Sequence, residues 1–414
     1  MKKSYTSFAL FLVCISFQFS SCAQQRKSDN DKIQKNKAIN IEKSTKILKI
    51  SADRTNLYLS KLKGKNVAIV ANQTSTVSIK GRSKHIIDYL YTDENIAVKK
   101  VFAPEHGFRG KADAGETVID GVDTKTQLPI ISLYGKNKKP SQTQLKNIDV
   151  VIFDIQDVGA RFYTYISSLH YVMEACAEAK IPVIILDRPN PNAHYIDGPV
   201  LEMKHTSFVG MHPVPVVYGM TIGEYGQMIN GENWLKNSLN NNIKCDLTVI
   251  PLENYTHNTP YNLPIKPSPN LPNATAINLY PSLCFFEGTN VSAGRGTDKQ
   301  FQIYGAPYLK KTPFSFTPQA NEGAKHPKYK AQICHGENLQ GNKKLSSLNL
   351  SWLLKTYKEA PKKYFFTTFF TKLAGTKKLQ HQIEQGLSEK EIKKSWQKEI
   401  SEFKKIRAKY LLYK

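Results

Sequence analysis

Short, mainly apolar runs alternate with longer segments of helical periodicity between residue 46 and about residue 252. The apolar runs, which predict buried strands, are residues 66–70, 97–103, 128–134, 149–154, 182–186 and 246–252. The periodic segments, which predict helices, are residues 83–91, 141–148, 163–180 and 221–236. Thr221 is the predicted N-cap of the last helix, because Glu224 follows it at capping-box spacing. Strands that are apolar on both faces and alternate with helices indicate an α/β fold, a Rossmann-like layered parallel sheet.

The pattern changes after residue 252. Residues 264–272 are rich in proline and irregular, and the chain becomes helical again from residue 379. Trp396, Phe403 and Tyr410 recur every seven residues, which predicts a packing stripe on one helix face. We therefore predict a catalytic domain at residues 46–252 and a second, smaller auxiliary C-terminal domain at residues 253–414, whose first loops return to the catalytic domain.

The N-terminus has the pattern of a targeting segment. Lys2 and Lys3 precede an apolar stretch at residues 8–19, which is too short to span a bilayer stably. Small residues then lead directly to Cys22, as in a lipoprotein signal that is cleaved before an acylated cysteine. The predictions are a signal peptide at residues 1–21, a flexible tether at 22–45, and an exported lipoprotein anchored to the membrane, on the periplasmic side. The alternative is an ordinary cleaved signal in which Cys22 is incidental.

The 414-residue chain has a formal net charge of +24, which favours anionic partners. No nucleic-acid-binding pattern accompanies this charge, so we expect a lysine-rich surface and no nucleic-acid partner. The six cysteines lack zinc-ligand spacing, and Cys176 and Cys284 lie in apolar contexts typical of a core. The sequence also lacks the GxGxxG, Walker and GxSxG motifs of dinucleotide, nucleotide and serine-hydrolase sites. We predict neither a metal nor another cofactor.

Polar residues follow four of the predicted strands, where an open parallel sheet places its ligand site. Asn72 and Gln73 end the first strand. The groups that follow the other three are Glu105 and His106; Asp154, Gln156, Asp157 and Arg161; and Asp187, Arg188 and Asn190. Four polar strand ends favour one shared pocket over four unrelated loops.

Glu105 is the predicted general acid, because it stands at a strand end between Pro104 and Gly107. The alternative for Glu105 is a structural carboxylate that caps a helix or pairs with Arg109. The second carboxylate is Glu116, Asp154 or Asp157, and one of the two aspartates is expected to hold Arg161 or a backbone turn instead. His106 is a supporting residue. Arginines are expected to bind an anionic group and amides to bind hydroxyls, and the full set of predicted substrate contacts is His106, Arg109, Gln156, Arg161, Asp187, Arg188, Asn190, Asn270 and Arg295.

A set of motifs occurs here in one order. They are PEHGFRG with AGE following, SLYG, DIQDVGARFYTY, LDRPNP, GMTIGE, KPSPN, EGTNVSAGRGT and a terminal KYLLY. This ordered set resembles the exo-β-N-acetylmuramidase family, long catalogued as a domain of unknown function, over nearly all of residues 50–414.

The resemblance implies a Rossmann-like catalytic domain, an auxiliary C-terminal domain, and removal of a terminal β-1,4-linked N-acetylmuramic acid from the non-reducing end of peptidoglycan-derived glycans. Glu105 occupies the position of the family's glutamate in PEHG, the expected catalytic acid. The substrate's lactyl carboxylate suits recognition by an arginine. Two alternatives stay open at this stage, namely a cell-wall-binding lipoprotein without catalysis and an esterase or amidase that acts on muropeptides.

Overall fold

The fold is built on a twisted parallel sheet, seen in a computed structural model that describes residues 47–108 and 120–413. In those ranges the sheet has seven strands, namely β1 (Asn66–Ala71), β4 (Ala97–Ala103), β5 (Gly121–Val122), β6 (Pro129–Ser132), β7 (Val150–Asp154), β8 (Val183–Leu186) and β9 (Leu247–Ile250). They pair in the order β5-β6-β4-β1-β7-β8-β9. All neighbours are parallel except β5 and β6, which are antiparallel.

Both faces of this sheet are covered, as apolar runs without alternation require. Successive residues of β7 point to opposite sides, so that Val151 and Phe153 join one core cluster while Val150 and Ile152 join the other. The first cluster is covered by the long helices that follow β7 and precede β9. The second is covered by the N-terminal segment, through Tyr58 and Leu62, and by the helix before β4. The predicted layered α/β fold is confirmed.

The helices of this part of the chain are α1 (Leu59–Leu62), α2 (Ile86–Tyr91), α3 (Gln142–Leu145), α4 (Tyr165–Ala179) and α5 (Ile222–Gly231). The capping box at Thr221 is present, with the Thr221 hydroxyl and the Glu224 carboxylate accepting each other's backbone N–H. The predicted helix at residues 83–91 is wrong in its first half. Residues Arg82–His85 form β3, which pairs with β2 (Thr76–Ile79) across a tight turn at Lys80 and Gly81. Both turn residues have positive φ, at 50° and 75°, as a two-residue hairpin requires.

The C-terminal region adds a small antiparallel sheet, in the order β10-β12-β11, and a group of helices. Its strands are β10 (Ile303–Ala306), β11 (Ser315–Phe316) and β12 (Cys334–Asn338), and its helices are α6 (Ala274–Leu283), α7 (Ser351–Glu359), α8 (Thr368–Ala374), α9 (Lys378–Glu384), α10 (Glu389–Ser395) and α11 (Gln397–Ala408). Trp396 and Phe403 are buried in the cluster on the α4–α5 side of the sheet, with Tyr410 packed against it, so the predicted packing stripe is confirmed. The chain from Leu48 onward is one compact unit, and the boundary at residue 252 stays a prediction.

The end of the chain is fixed to the sheet by two buried carboxylates. Tyr413 donates its hydroxyl to Asp187 Oδ2 at 2.6 Å, and the backbone N–H of Leu412 donates to Glu224 Oε1 at 2.9 Å. Burial raises the pKa of Asp187 to about 7, although Tyr413 and Thr221 donate to it. The terminal KYLLY motif therefore completes the packing around α5.

Four cysteines, Cys176, Cys245, Cys284 and Cys334, are buried and free. Between residues 47 and 413, leaving aside 109–119, no helix is both long and apolar enough to cross a membrane. Cys22 and the predicted signal and tether segments lie outside the described residues.

Candidate active site

A cavity of about 940 Å³ lies beside the carboxyl end of β4. Its walls come from two parts of the chain that are far apart in sequence. The loop after β4 and the segment 162–165 before α4 contribute from the sheet, while α6 and the segments 291–295 and 324–328 contribute from the C-terminal region. Of the predicted site residues, the structure brings together four along this cavity, namely Glu105, His106, Asn270 and Arg295.

Glu105 stands in a tight turn that follows directly from β4. The Gly107 N–H donates to the Pro104 carbonyl at 3.0 Å, which closes a turn with Glu105 and His106 at its centre. His106 has a φ of 71°, a conformation that costs a residue with a side chain free energy and often marks a functional site. The Glu105 carboxyl group is buried, and the Thr164 hydroxyl donates to its Oε2 at 2.5 Å. A buried carboxyl group held by a neutral hydroxyl is suited to exchange a proton with a ligand in the cavity.

Arg295 and Asn270 are held next to each other by a shared backbone carbonyl. The Arg295 guanidinium donates to Gly323 O at 3.2 Å, and the Asn270 amide donates to the same oxygen at 2.6 Å. Arg295 also donates to Glu287 Oε1 at 2.8 Å. The Asn270 side-chain oxygen is buried and has no hydrogen-bond partner in the described structure. This group, which sequence reasoning found only in part, offers a guanidinium and an amide to a polar ligand.

Three tyrosines form a wall that runs from the Glu105 side of the cavity toward Glu287. Tyr165 and Tyr163 meet edge to face with ring centroids 4.9 Å apart, and Tyr163 and Tyr280 do so at 5.9 Å. Tyr165 lies next to Glu105, and Tyr280 is followed one helical turn later by Cys284, whose thiol donates to Glu287 Oε2 at 3.8 Å. Aromatic rings with buried hydroxyl groups suit the mixed apolar and polar faces of a sugar.

The cavity carries more positive than negative charge. Among the described residues that line it, the cations are Lys138, Arg295, Lys328 and Lys372, and the carboxylates are Glu105 and Glu287. Such a surplus favours an anionic ligand. Across the described ranges, no three His, Cys, Asp or Glu side chains are grouped so that they could hold a metal ion.

Asp154 and Arg188 do not line the cavity and pair with each other instead. Arg188 donates to both oxygens of Asp154, from Nε at 2.6 Å and from a terminal nitrogen at 2.9 Å, and it also donates to Thr76 O at 3.0 Å. Both side chains are almost fully buried, at 0% and 3% exposure. Asp154 at the end of β7 is therefore held by Arg188, which follows β8, and not by Arg161.

Arg161 is also absent from the cavity lining in the described structure. Its guanidinium is fully buried and donates to four backbone carbonyls, which belong to Pro199, Val214, Leu373 and Ala374 at 2.7–2.9 Å. Burial lowers the pKa of Arg161 to about 9. In this position Arg161 joins the end of α8 to the loops after β8.

Asp157, Gln156 and Asn190 hold the loops at the ends of β7 and β8. Asp157 Oδ2 accepts the Tyr218 hydroxyl and the Gly159 N–H, so it holds a backbone turn as the sequence allowed, and burial raises its pKa to about 6. Gln156 donates to two carbonyls and Asn190 donates to Met220 O. Like Asp187, these three residues make hydrogen bonds within the protein. None of these hydrogen bonds supports the predicted roles of the residues toward a substrate. Arg109 and Glu116 lie outside the described residues.

Comparisons with known proteins match two consecutive regions of the chain. Residues 67–275 match the family described as "Exo-beta-N-acetylmuramidase NamZ, N-terminal", and residues 278–413 match its C-terminal counterpart. The peptidoglycan β-N-acetylmuramidase NamZ of Bacillus subtilis strain 168 is 38% identical over 384 residues, which cover 86% of this chain and 89% of the relative. This chain belongs to the NamZ family.

Two solved structures of DUF1343 family proteins from Bacteroides fragilis NCTC 9343 share the fold of this NamZ-family chain. One is 46% identical with a TM-score of 0.80, and the other is 27% identical with a TM-score of 0.75. Each alignment covers 89% of this chain and 99% of the other. Both matched family regions contribute to the cavity, since Glu105 and Asn270 lie in the first and Glu287 and Arg295 in the second.

Sequence reasoning missed several residues of the cavity although they stand in the quoted NamZ motifs. Thr164 and the tyrosines Tyr163 and Tyr165 belong to the FYTY segment, and Glu287 opens EGTN. Glu287 and the two tyrosines could have been found as acidic and aromatic residues inside motifs already quoted. The search for polar residues at the ends of strands favoured other positions. Lys328 lies in no quoted motif.

Proposed function

We propose that this protein is an exo-acting glycosidase that releases terminal β-1,4-linked N-acetylmuramic acid from the non-reducing end of peptidoglycan fragments, with Glu105 as the general acid. The observation that carries the proposal is the buried Glu105 carboxyl group, which lines a cationic, tyrosine-walled cavity and accepts the Thr164 hydroxyl. Membership of the NamZ family and the activity of the Bacillus relative, a peptidoglycan β-N-acetylmuramidase, support the same substrate.

Within this proposal the parts of the cavity have separate tasks. Glu105 protonates the glycosidic oxygen as the bond breaks, which removes the need to expel an alkoxide. Arg295 takes the lactyl carboxylate, since a guanidinium fork matches a carboxylate. A second carboxylate activates water, stabilises the oxocarbenium ion or attacks the sugar. Asp154 and Asp157 do not reach the cavity as described, so Glu116 and the cavity residue Glu287 are the candidates that we favour for this task.

Incubation with a defined MurNAc–GlcNAc disaccharide tests the activity. We expect both free monosaccharides, seen by mass spectrometry, and no release from GlcNAc–MurNAc, because the enzyme is proposed to act on a non-reducing terminal muramic acid. An esterase or amidase would instead release an acid or a peptide from muropeptides. A binding protein would leave every substrate intact, and that result would refute the proposal.

We also propose that the protein is exported and anchored by lipid at Cys22. The basic start, the short apolar stretch and the small residues before Cys22 support this. Cys22→Ser is expected to abolish incorporation of radiolabelled palmitate and to move the protein from the membrane fraction to the soluble fraction. Cys14→Ser is the matched control and should keep both properties, because Cys14 would be removed with the signal peptide. Palmitate labelling that survives Cys22→Ser would contradict the anchor.

A further inference from the structure

The ammonium group of Lys328 is surrounded by backbone carbonyls. Its Nζ donates to Thr289 O at 2.5 Å and to Phe286 O at 2.7 Å, and the carbonyl oxygens of Glu287 and Val291 lie at 3.2 and 3.4 Å. An ammonium group has three protons to donate, so these oxygens use its whole capacity. Lys328 lines the cavity, yet its ammonium group donates its hydrogen bonds to the backbone of one turn of the chain.

This turn, residues 286–291, is the one that carries Glu287. It is closed by the Thr289 hydroxyl, which donates to Phe286 O at 3.0 Å. Tyr329, the neighbour of Lys328, donates its hydroxyl to Asn290 O at 2.5 Å. Five hydrogen bonds from residues 328 and 329 therefore hold the backbone that carries the Glu287 side chain.

Glu287 in turn orients the cation that faces the ligand. Its Oε1 accepts from Arg295 at 2.8 Å, and the two side chains are about equally exposed to the cavity, at 24% and 23%. We propose that Lys328 is a positioning residue for anion recognition: by gathering the carbonyls of residues 286–291 it places Glu287, and through Glu287 it places Arg295 for the carboxylate of the substrate. This inference rests on the proposed function for the identity of that carboxylate.

The arrangement has a pH dependence that can be measured. Burial lowers the pKa of Lys328 to about 8, with Glu287 acting to raise it, Arg295 to lower it and Cys284 to raise it. These are the charged and titratable groups that act on Lys328 from the turn, from Cys284 directly after α6, and from the segment 291–295. Above pH 8 the ammonium becomes an amine, which has two protons for the carbonyls instead of three. The KM for an anionic substrate should therefore rise above pH 8, whereas binding of a neutral sugar should not change.

The experiment compares Lys328→Met, Lys328→Arg and, as the matched control, Lys330→Met, which alters an exposed lysine two residues away. Calorimetry with MurNAc and with GlcNAc, which lacks the lactyl carboxylate, gives the affinity ratio, and turnover of a chromogenic β-N-acetylmuramide gives kcat and KM. We expect Lys328→Met to weaken MurNAc binding and raise KM by about 10- to 100-fold, as displacement of a substrate-orienting group does. GlcNAc affinity should stay unchanged, because GlcNAc has no carboxylate for Arg295 to bind. Lys330→Met should behave as the wild type.

A folded Lys328→Met variant with the wild-type ratio of MurNAc to GlcNAc affinity would overturn the inference. If Lys328→Met does not fold, Lys328→Arg decides, because a guanidinium stays charged: loss of the rise in KM above pH 8 supports the inference, and an unchanged rise overturns it.

A crystal structure of Lys328→Met needs no substrate and separates this inference from the proposed function. If the wild type neither binds nor cleaves a muramide, the proposed function fails, and the structure alone decides about Lys328. A Glu287 carboxylate displaced from Arg295 would support the positioning role, and an unchanged contact would refute it.

Discussion

Glu105→Gln is expected to lower kcat on the MurNAc–GlcNAc disaccharide by about 10²- to 10⁴-fold, the range that a general acid contributes. Glutamine has the same size and can still accept the Thr164 hydroxyl, which now donates to Glu105 Oε2 at 2.5 Å. It has no acidic proton for the departing oxygen. KM and the thermal unfolding midpoint should therefore change little, and steady-state kinetics together with circular dichroism would show this.

The leaving group separates an acid from other roles of Glu105. The dinitrophenolate of a dinitrophenyl β-N-acetylmuramide departs without protonation. On this substrate the kcat of Glu105→Gln should therefore fall by less than about tenfold. Glu116→Gln and Glu287→Gln are the comparison variants, because a carboxylate that stabilises or attacks the sugar is needed for both substrates. Equal losses by Glu105→Gln on the disaccharide and the dinitrophenyl glycoside would contradict the acid role.

Most of the sheet could be predicted from the sequence, because most of it is buried. β1, β7 and β8 are buried on both faces, so each one stands out as an apolar run between polar segments, and β4 does so apart from Lys99 and Lys100. The short, exposed β5 was not predicted. The β2–β3 hairpin did not stand out. Its second strand, Arg82–His85, is mostly exposed and polar, and it runs directly into α2, so the helical spacing of Ile86, Ile87 and Leu90 extended over it.

The candidate site was harder to predict, because strand ends need polar groups for two different purposes. Glu105 at the end of β4 faces the cavity, whereas Asp154 and Asp187 at the ends of β7 and β8 hold Arg188 and the chain terminus. From the sequence the three carboxylates look alike. The difference lies in partners 30 to more than 200 residues away, which local spacing does not reveal.

The other side of the cavity could be predicted only as motifs. Glu287 in EGTN and Arg295 in GRGT stand eight residues apart. Arg295 was singled out for an anion, but its partner Glu287 was not. Their proximity depends on a turn that closes through Lys328, about 40 residues later in the chain. No periodicity marks such a contact, since it is made by one ammonium group and backbone carbonyls.

Asp154→Asn should reduce the free energy of unfolding by about 3–5 kcal/mol, the cost of leaving a buried charge without its partner. Arg188 would lose the carboxylate that it now contacts at 2.6 and 2.9 Å, in surroundings where neither side chain is more than 3% exposed. In the wild type burial opposes the charge of Arg188, but the charge and hydrogen bonds of Asp154 raise the pKa of Arg188 overall. Without the Asp154 charge, Arg188 would still carry its own charge, because an arginine guanidinium stays protonated in proteins. Urea denaturation measures the loss.

Kinetics on the folded Asp154→Asn protein then decide between a structural and a catalytic aspartate. Because Asp154 does not line the cavity, kcat per folded molecule should stay within about threefold of the wild type, whereas loss of a catalytic carboxylate would lower it by about 10²-fold or more. The double variant Asp154→Leu with Arg188→Met is the matched control. It removes both charges and should recover most of the lost stability, since apolar side chains of similar volume often replace a buried ion pair without loss. A stable Asp154→Asn protein with greatly reduced kcat would instead place Asp154 in the reaction, and would mean that Arg188 holds it there as a reactive carboxylate.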